Sequence, residues 1–168
     1  MSDNILKVTV REEINLNGDS YDALNINEIG SINEISKRIV TIPTGSEINL
    51  INFSSSIGSG QFINSDVKYL RFTNLGNTES EEDTIHVTFK NFVNPANTSS
   101  KAEFAVRIPK GQTFMYNGTN TGVSGSSFAA SGSALSSSLD TVLTSLEAIH
   151  AITSGSAGCD LEYFVASL

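Results

Sequence analysis

Tryptophan is absent from this 168-residue sequence, and cysteine occurs only once, at Cys159. A single cysteine excludes an internal disulfide and leaves too few thiolates for a structural zinc site. Cys159 shares a two-residue phase with Leu161 and Tyr163, which predicts a small buried side chain rather than a reactive thiol. The missing tryptophan weakens a sugar-binding interpretation, because platforms that stack on sugars use flat aromatic rings, tryptophan above all.

Basic residues are few and scattered: 10 Lys and Arg stand against 18 Asp and Glu, giving a formal net charge of −8. Binding to a phosphate backbone or to an anionic membrane requires clustered positive charge. We therefore expect neither nucleic acid nor a membrane as a partner. No apolar run reaches the length of a bilayer span, and the start of the chain lacks the basic region of a signal peptide, so synthesis in a cytoplasm is expected.

The sequence contains no recognisable catalytic or cofactor-binding motif. Serine is abundant, but the Gly-x-Ser-x-Gly turn of serine hydrolases does not occur. Gly58-Ser-Gly60 lacks the further glycine, the helix and the lysine of nucleotide-binding loops. With 18 acidic residues, any carboxylate pair could be nominated for glycosidase chemistry, so none is singled out. We predict no catalytic residue and no cofactor, and an enzyme such as a polysaccharide hydrolase is the least favoured hypothesis.

Two groups of residues offer metal-ligand chemistry, and neither has the spacing of a known site. Four acidic residues between Glu79 and Asp83 supply hard oxygen ligands suited to calcium, but they match no standard loop and are interpreted as solvated surface charge. His86 and His150 lie on separate predicted strands, and neither has a second ligand two residues away. Surface or half-buried structural histidines are the favoured interpretation, and no metal site is predicted.

Short runs that alternate apolar and polar residues predict eight or nine strands with one buried face each. Turn signals recur about every ten residues along the chain, which favours two packed antiparallel sheets. The predicted fold class is all-β, an antiparallel β-sandwich or jelly roll, with at most one short helix over Leu135–Leu146. The predicted strands are Ile5–Val10, Ser36–Ile42, Ile48–Phe53, Val67–Thr73, Ile85–Lys90, Ala102–Ile108, Gln112–Tyr116, Leu146–Thr153 and Cys159–Ala166.

Ser65–Ile108 holds the clearest alternation, and its three runs predict consecutive antiparallel strands of one half-buried sheet. The N-terminal part differs. Residues 1–35 are interpreted as a polar arm, a first strand and an irregular extended segment that lies across a surface, with a tight turn at Asn17-Gly18-Asp19. Residues 36–168 are expected to form the sandwich, the two parts together making one compact domain.

Four strand-like stretches follow one another in a distinctive order: Ser36–Pro43, Asp66–Leu75, Phe104–Phe114 and Ala157–Val165. Over residues 36–166, the order and residue pattern of these strands resemble those of the small β-sandwich virion proteins of tailed bacteriophages. The likeness lies in the succession of strands and not in a catalytic motif. The segment 11–35 has no counterpart in it.

Proteins of that kind are capsid decoration (cement) proteins or parts of the tail apparatus. The resemblance implies a non-enzymatic structural protein of the virion, assembled in the host cytoplasm, that binds the outer shell and stabilises contacts between capsid subunits. Its implied partners are the major capsid protein or other virion proteins, and further copies of itself as a dimer or trimer. The alternative is a tail, receptor-binding or carbohydrate-binding β-sandwich module, for which Phe92, Phe114, Tyr116 and Phe128 border loops and offer a small contact surface.

Overall fold

The structure, a computed structural model, describes residues 4–54, 58, 60–63, 66–76, 83–92, 101–117, 128–130, 133–135, 147–154 and 157–168. Within them the backbone forms thirteen strands and no helix. The strands are β1 (Leu6–Leu16), β2 (Asp19–Ile29), β3 (Glu34–Ile42), β4 (Ile48–Ser54), β5 (Gln61–Ile63), β6 (Val67–Gly76), β7 (Thr84–Phe92), β8 (Lys101–Pro109), β9 (Thr113–Asn117), β10 (Phe128–Ala130), β11 (Ser133–Leu135), β12 (Ala148–Thr153) and β13 (Cys159–Ser167).

Eleven of these strands form three sheets, and β10 pairs with β11 separately. The five-stranded sheet has the order β5-β4-β12-β7-β8, the four-stranded sheet has the order β3-β13-β6-β9, and β1 with β2 makes a two-stranded hairpin. All described pairs are antiparallel except β4 with β5. The predicted all-β, sandwich-like fold is confirmed. The strand count is higher than predicted because β2, β5, β10 and β11 were not found, and three of these have only three residues, too few to show a period.

The two larger sheets enclose the hydrophobic core. Successive side chains of a strand leave on opposite sides, so each central strand directs every second side chain inward. Phe72 of the four-stranded sheet meets Phe89 of the five-stranded sheet edge-on, with ring centroids 6.1 Å apart. Cys159 is buried, as predicted. The principal buried residues are Ile42, Ile51, Leu70, Phe72, Ile85, Val87, Phe89, Ile108, Ile149, Leu161 and Val165.

The three alternating runs between Ser65 and Ile108 form strands, but they do not lie side by side in one sheet. β6 belongs to the four-stranded sheet, whereas β7 and β8 are neighbours in the five-stranded sheet. The prediction of three consecutive strands in one sheet is therefore wrong for β6. Alternation shows that a strand has one buried face, and both sheets bury a face in the same core, so the pattern does not tell which sheet a strand joins.

The N-terminal segment is regular where the sequence predicted a short strand and an irregular stretch. β1 continues past the predicted Ile5–Val10 to Leu16, and β2 returns antiparallel to it along its whole length. The predicted turn is present. Asn17 and Gly18 have φ angles of 56° and 92°, and positive φ at both central residues is what a two-residue type I′ hairpin turn requires. The segment 11–35 is thus largely a hairpin and not an irregular extended chain.

The short helix expected over Leu135–Leu146 falls mostly outside the described residues, since 136–146 are not among them. Leu135 itself ends β11. The expected division of the chain into residues 1–35 and 36–168 stays a prediction.

Leu161 lies in the central strand β13, which pairs with both β3 and β6, and its side chain is fully buried. Its substitution therefore measures how much the core contributes to stability. We expect Leu161→Ala to lower the free energy of unfolding by about 2–5 kcal/mol, since the lost methyl groups leave a cavity in a closely packed interior. Urea unfolding followed by circular dichroism measures the change. Leu24→Ala on the exposed hairpin is the control, with an expected change within about 0.5 kcal/mol. Equal losses in the two variants would contradict the core assignment.

Candidate functional site

The hairpin formed by β1 and β2 carries different side chains on its two faces, and the strand register assigns each residue to one of them. The face that joins even-numbered β1 residues to odd-numbered β2 residues is called the apolar face here. Its apolar members are Leu6, Val8, Val10, Ile14, Leu16, Tyr21, Ala23 and Ile29. The opposite face, called the polar face, carries ion pairs. Lys7 Nζ lies 3.6 Å from Glu28 Oε1, and Arg11 Nη2 lies 3.7 Å from Asp22 Oδ2.

The base of the hairpin is anchored on the outer face of the four-stranded sheet. Backbone hydrogen bonds fix the junction: Ile32 N donates to Asn4 O at 3.0 Å, and Asn33 N donates to Ser167 O at 2.9 Å. The side chains form a second, smaller apolar cluster on the side of the sheet away from the core. It consists of Leu6, Val8, Ile29, Ile32, Tyr69, Phe164 and Ala166. The proximal third of the apolar face is therefore covered by the chain itself.

Beyond this anchor the described chain leaves the hairpin uncovered. Every residue from Thr9 to Ile26 is exposed. On the apolar face the exposed fractions are 56% for Ile14, 56% for Leu16 and 60% for Tyr21. An isolated two-stranded hairpin is marginally stable at best in water, and a contiguous exposed apolar strip is typical of a protein–protein contact. The part of the apolar face from Val10 to the turn, called the distal apolar face, is the candidate docking surface.

The outer face of the four-stranded sheet presents a second exposed apolar area beside the hairpin base. Ile35 and Ile39 of β3 are 64% and 60% exposed, and β3 is an edge strand of its sheet. Next to them Glu162 forms ion pairs with both Lys37 and Arg71. A cleft of about 530 Å³ lies between Ile35 and the hairpin base. This region is called the β3 outer patch.

A buried polar cluster lies at the corner where the chain leaves β6. The side-chain amide of Asn74 donates to the backbone carbonyls of Asp83 and Ile108 at 3.0 and 2.9 Å. Its Oδ1 accepts hydrogen bonds from Gly76 N at 2.8 Å and from the Cys159 thiol at 3.0 Å. Burial, and to a smaller extent the charge of Asp83, raises the pKa of Cys159, which keeps the thiol protonated. Cys159 is thus a structural donor that helps to hold this corner.

Asp83 is fully buried, and within the described part of the chain neither of its carboxylate oxygens has a hydrogen-bond partner. We expect Asp83→Asn to raise the free energy of unfolding at pH 7 by about 1–3 kcal/mol, because a buried, unsatisfied charged group costs at least that much. Chemical denaturation measures the change. Asp22→Asn on the exposed hairpin is the matched control, with little expected effect. Loss of stability in Asp83→Asn would contradict the interpretation of Asp83 as a buried, unsatisfied carboxylate.

Glu47, just before β4, connects two strands of the five-stranded sheet through their outer faces. Its Oε2 lies 2.5 Å from Lys90 Nζ on β7 and 3.2 Å from His150 Nδ1 on β12. The hydrogen bond from Lys90 is the main cause that lowers the pKa of Glu47; partial burial opposes it and His150 adds to it. The three side chains tie the start of β4 to the middle of the sheet.

The lowered pKa of Glu47 makes its contribution to stability depend on pH. A carboxylate whose pKa falls on folding stabilises the protein above its unfolded-state pKa, and this stabilisation is lost as pH falls through the folded-state value. We therefore expect Glu47→Gln to cost about 0.2–1 kcal/mol at pH 7, and the difference from wild type to vanish below the folded-state pKa, which lies under the ordinary 4.5. Urea unfolding at pH 7 and in acid measures it, with Glu28→Gln as an exposed control. A cost that does not change with pH would contradict this assignment.

The residues that the sequence singled out for metal chemistry do not come together. His86 and His150 lie half-buried on the neighbouring strands β7 and β12, where His86 pairs with Ile152 and His150 with Thr88. The acidic loop lies outside the described residues apart from Asp83. Among the side chains that are described, no group of three or more His, Cys, Asp or Glu is placed to hold a metal ion.

Phe114 and Tyr116, two of the aromatic residues of the carbohydrate-binding alternative, are half-buried and pack against the core. Phe114 meets Phe89 edge-on, with ring centroids 5.9 Å apart. Both rings thus belong mainly to the interior of the sandwich and do not form an exposed aromatic surface on which a sugar could stack. The sequence analysis missed the docking surface instead. Its signal was present, because the two-residue apolar period of β1 continues past Val10 to Ile14 and Leu16, interrupted only by Glu12.

Comparison of the chain with protein-family models, with curated proteins and with solved structures yields no match. Within the described residues no helix is long and apolar enough to cross a membrane.

Proposed function

We propose that this chain is a non-enzymatic structural protein of a tailed-phage virion, a capsid decoration (cement) protein that binds the outer shell and stabilises contacts between capsid subunits. The observation that carries the proposal is the distal apolar face of the hairpin, an exposed strip on a regular element anchored at its base. The resemblance of residues 36–166 to small virion β-sandwich proteins supplies the class of assembly. The hairpin supplies a means of attachment.

Exposure of the distal apolar face to water costs free energy that a docking partner would recover. Fully burying one Val, Leu, Ile or similar side chain contributes about 1.5–3 kcal/mol, and the distal apolar face holds Val10, Ile14, Leu16 and Tyr21, each more than one-third exposed. A surface that buries these residues therefore gains several times the thermal energy. Because β1 and β2 are already paired, little backbone entropy is lost when the hairpin docks, and pre-ordered elements bind with less penalty than flexible ones.

A shell offers the same docking position many times on a symmetric lattice. A molecule that contacts two neighbouring capsid subunits, or one subunit and another decoration copy, converts its second contact into an intramolecular one. Weak individual contacts then add to a strong attachment, and the link resists separation of the subunits. The sandwich provides the rigid body between these contacts, since its two sheets share one closely packed core.

The proposal is tested with empty shells assembled from the major capsid protein of the parent phage. We expect the wild-type chain to cosediment with the shells, to saturate at a fixed ratio to the capsid subunit, and to raise the temperature at which the shells disassemble. A truncated variant joins Thr9 to Ile26, which are cross-strand partners, through an Asn-Gly turn and so removes the distal half of the hairpin. We expect it to bind at least about tenfold more weakly, equivalent to about 1.4 kcal/mol or more.

Leu24→Ser is the matched control, because Leu24 is 63% exposed but lies on the polar face of the same hairpin. Its shell binding should equal that of wild type. Absence of saturable binding by the wild-type chain would remove the decoration role, and full binding by the truncated variant would remove the hairpin from it.

A further inference from the structure

The apolar face of the hairpin runs along its whole length, interrupted by Glu12 and Asp19, and the described part of the chain covers only its proximal part. The covered part shows what kind of surface fits it: Leu6 and Val8 pack against Tyr69, Phe164 and Ala166 on the outer face of the four-stranded sheet. That surface is apolar, pleated and flat. A partner for the distal apolar face is therefore expected to be another stretch of the outer face of a β-sheet.

The same chain exposes such a stretch at the β3 outer patch. Ile35 and Ile39 lie on the outward side of β3, opposite Ala166 and Glu162 of β13, and thus continue the face on which the hairpin base rests. Their exposed fractions of 64% and 60% show that the chain's own hairpin does not cover them. The molecule therefore carries both an unpaired apolar strip and an uncovered patch of the kind that accepts it.

The hairpin does not close this contact within one chain. Its base is held by the Ile32–Asn4 and Asn33–Ser167 hydrogen bonds, and the full register from Leu6↔Ile29 to Leu16↔Asp19 keeps the two strands regular up to the turn. In this position the hairpin does not lie on β3 of its own chain, as the exposure of Ile35 and Ile39 shows. A second copy satisfies both surfaces without deformation, because each copy offers its hairpin and receives that of the other. Such a reciprocal contact has the two-fold symmetry of most homodimers.

Charge favours the same pairing. The hairpin beyond Val10 carries four acidic residues, Glu12, Glu13, Asp19 and Asp22, against the single basic residue Arg11. The β3 outer patch carries Lys37 and Arg71 around Glu162, two basic residues against one acidic residue. Contact between the hairpin and β3 of another copy brings opposite charges together, whereas contact between two hairpins would bring like charges together.

The available area is sufficient for a stable contact. Strands lie about 4.8 Å apart and rise about 3.4 Å per residue, so the seven pairs from Val10↔Asn25 to Leu16↔Asp19 present a strip about 24 Å long and about 10 Å wide. Reciprocal exchange uses four such strips, two on hairpins and two on sheets. Their combined area of about 1,000 Å² meets the lower limit expected of a biological interface.

We propose that this chain forms a reciprocal homodimer in which the distal apolar face of each hairpin lies on the β3 outer patch of the other copy. The inference rests on the proposed function only in treating the hairpin as an assembly surface. It identifies the partner of that surface as a second copy of the chain, so in the decoration role the hairpin strengthens attachment by joining two copies that each contact the shell.

Sedimentation velocity on the full chain tests the proposal with two double variants. The hairpin variant is Ile14→Ser with Tyr21→Ser, and the sheet variant is Ile35→Ser with Ile39→Ser. We expect wild type to sediment at twice the 17.9 kDa chain mass, and each double variant to dissociate at least about tenfold more readily. A one-to-one mixture of the two variants forms heterodimers with one intact contact, in which the hairpin of the sheet variant lies on the sheet of the hairpin variant.

Leu24→Ser with Ile26→Ser is the matched control on the polar face and should remain dimeric. The dimer proposal is overturned if wild type sediments as a monomer at every concentration, or if either double variant stays as dimeric as wild type. Hydrogen exchange of wild type at low and high concentration tests it without substitutions: protection of residues 10–25 and 35–39 must rise together with concentration. A dimer that ignores shells would leave this inference standing and remove only the decoration role.

Discussion

The alternation of side chains along a β-strand is the constraint on which this structure depends. A sheet has two faces, and each apolar face must be covered by something other than water. The inner faces of the two large sheets cover one another through contacts such as that between Phe72 and Phe89. The outer face of the four-stranded sheet is covered in part by the base of the hairpin. The distal apolar face has no cover within the described chain, and this is why it is the functional candidate.

Two polar arrangements connect strands of the two large sheets. The buried Asn74 side chain links β6 to β13 and β8 at the corner where the chain changes sheets. On the opposite outer surface, Glu47 holds β4 against β7 and β12 through Lys90 and His150. Both arrangements contain residue types that occur in active sites, yet each serves here to satisfy buried or crowded groups. The proposed function accordingly depends on binding through an apolar surface.

Strands that bury one whole face show the clearest apolar alternation, and these strands were predicted most accurately. β7 and β13 bury one face completely, so buried residues such as Ile85 and Leu161 recur at every second position, and the ends of both strands were predicted to within two residues. The short strand β5 has too few residues to show a period. β2 was not predicted as a strand for another reason. Its apolar residues Leu24 and Ile26 lie on the polar face of the hairpin, out of phase with Tyr21 and Ile29. Because both faces of the hairpin are largely exposed to solvent, its sequence does not need to place all apolar residues on one face.

Sequence alone determined that the chain is an all-β protein, that Asn17-Gly18 makes a tight turn, and that Cys159 is buried, because each of these follows from local spacing and backbone preference. Only the tertiary structure decided that β6 and β7 belong to different sheets, that residues 6–29 form one anchored hairpin, and that its apolar face continues beyond its cover. These are properties of long-range pairing. A period of two states that a strand has an inside and an outside, but only the arrangement of the other strands decides what, if anything, lies against each.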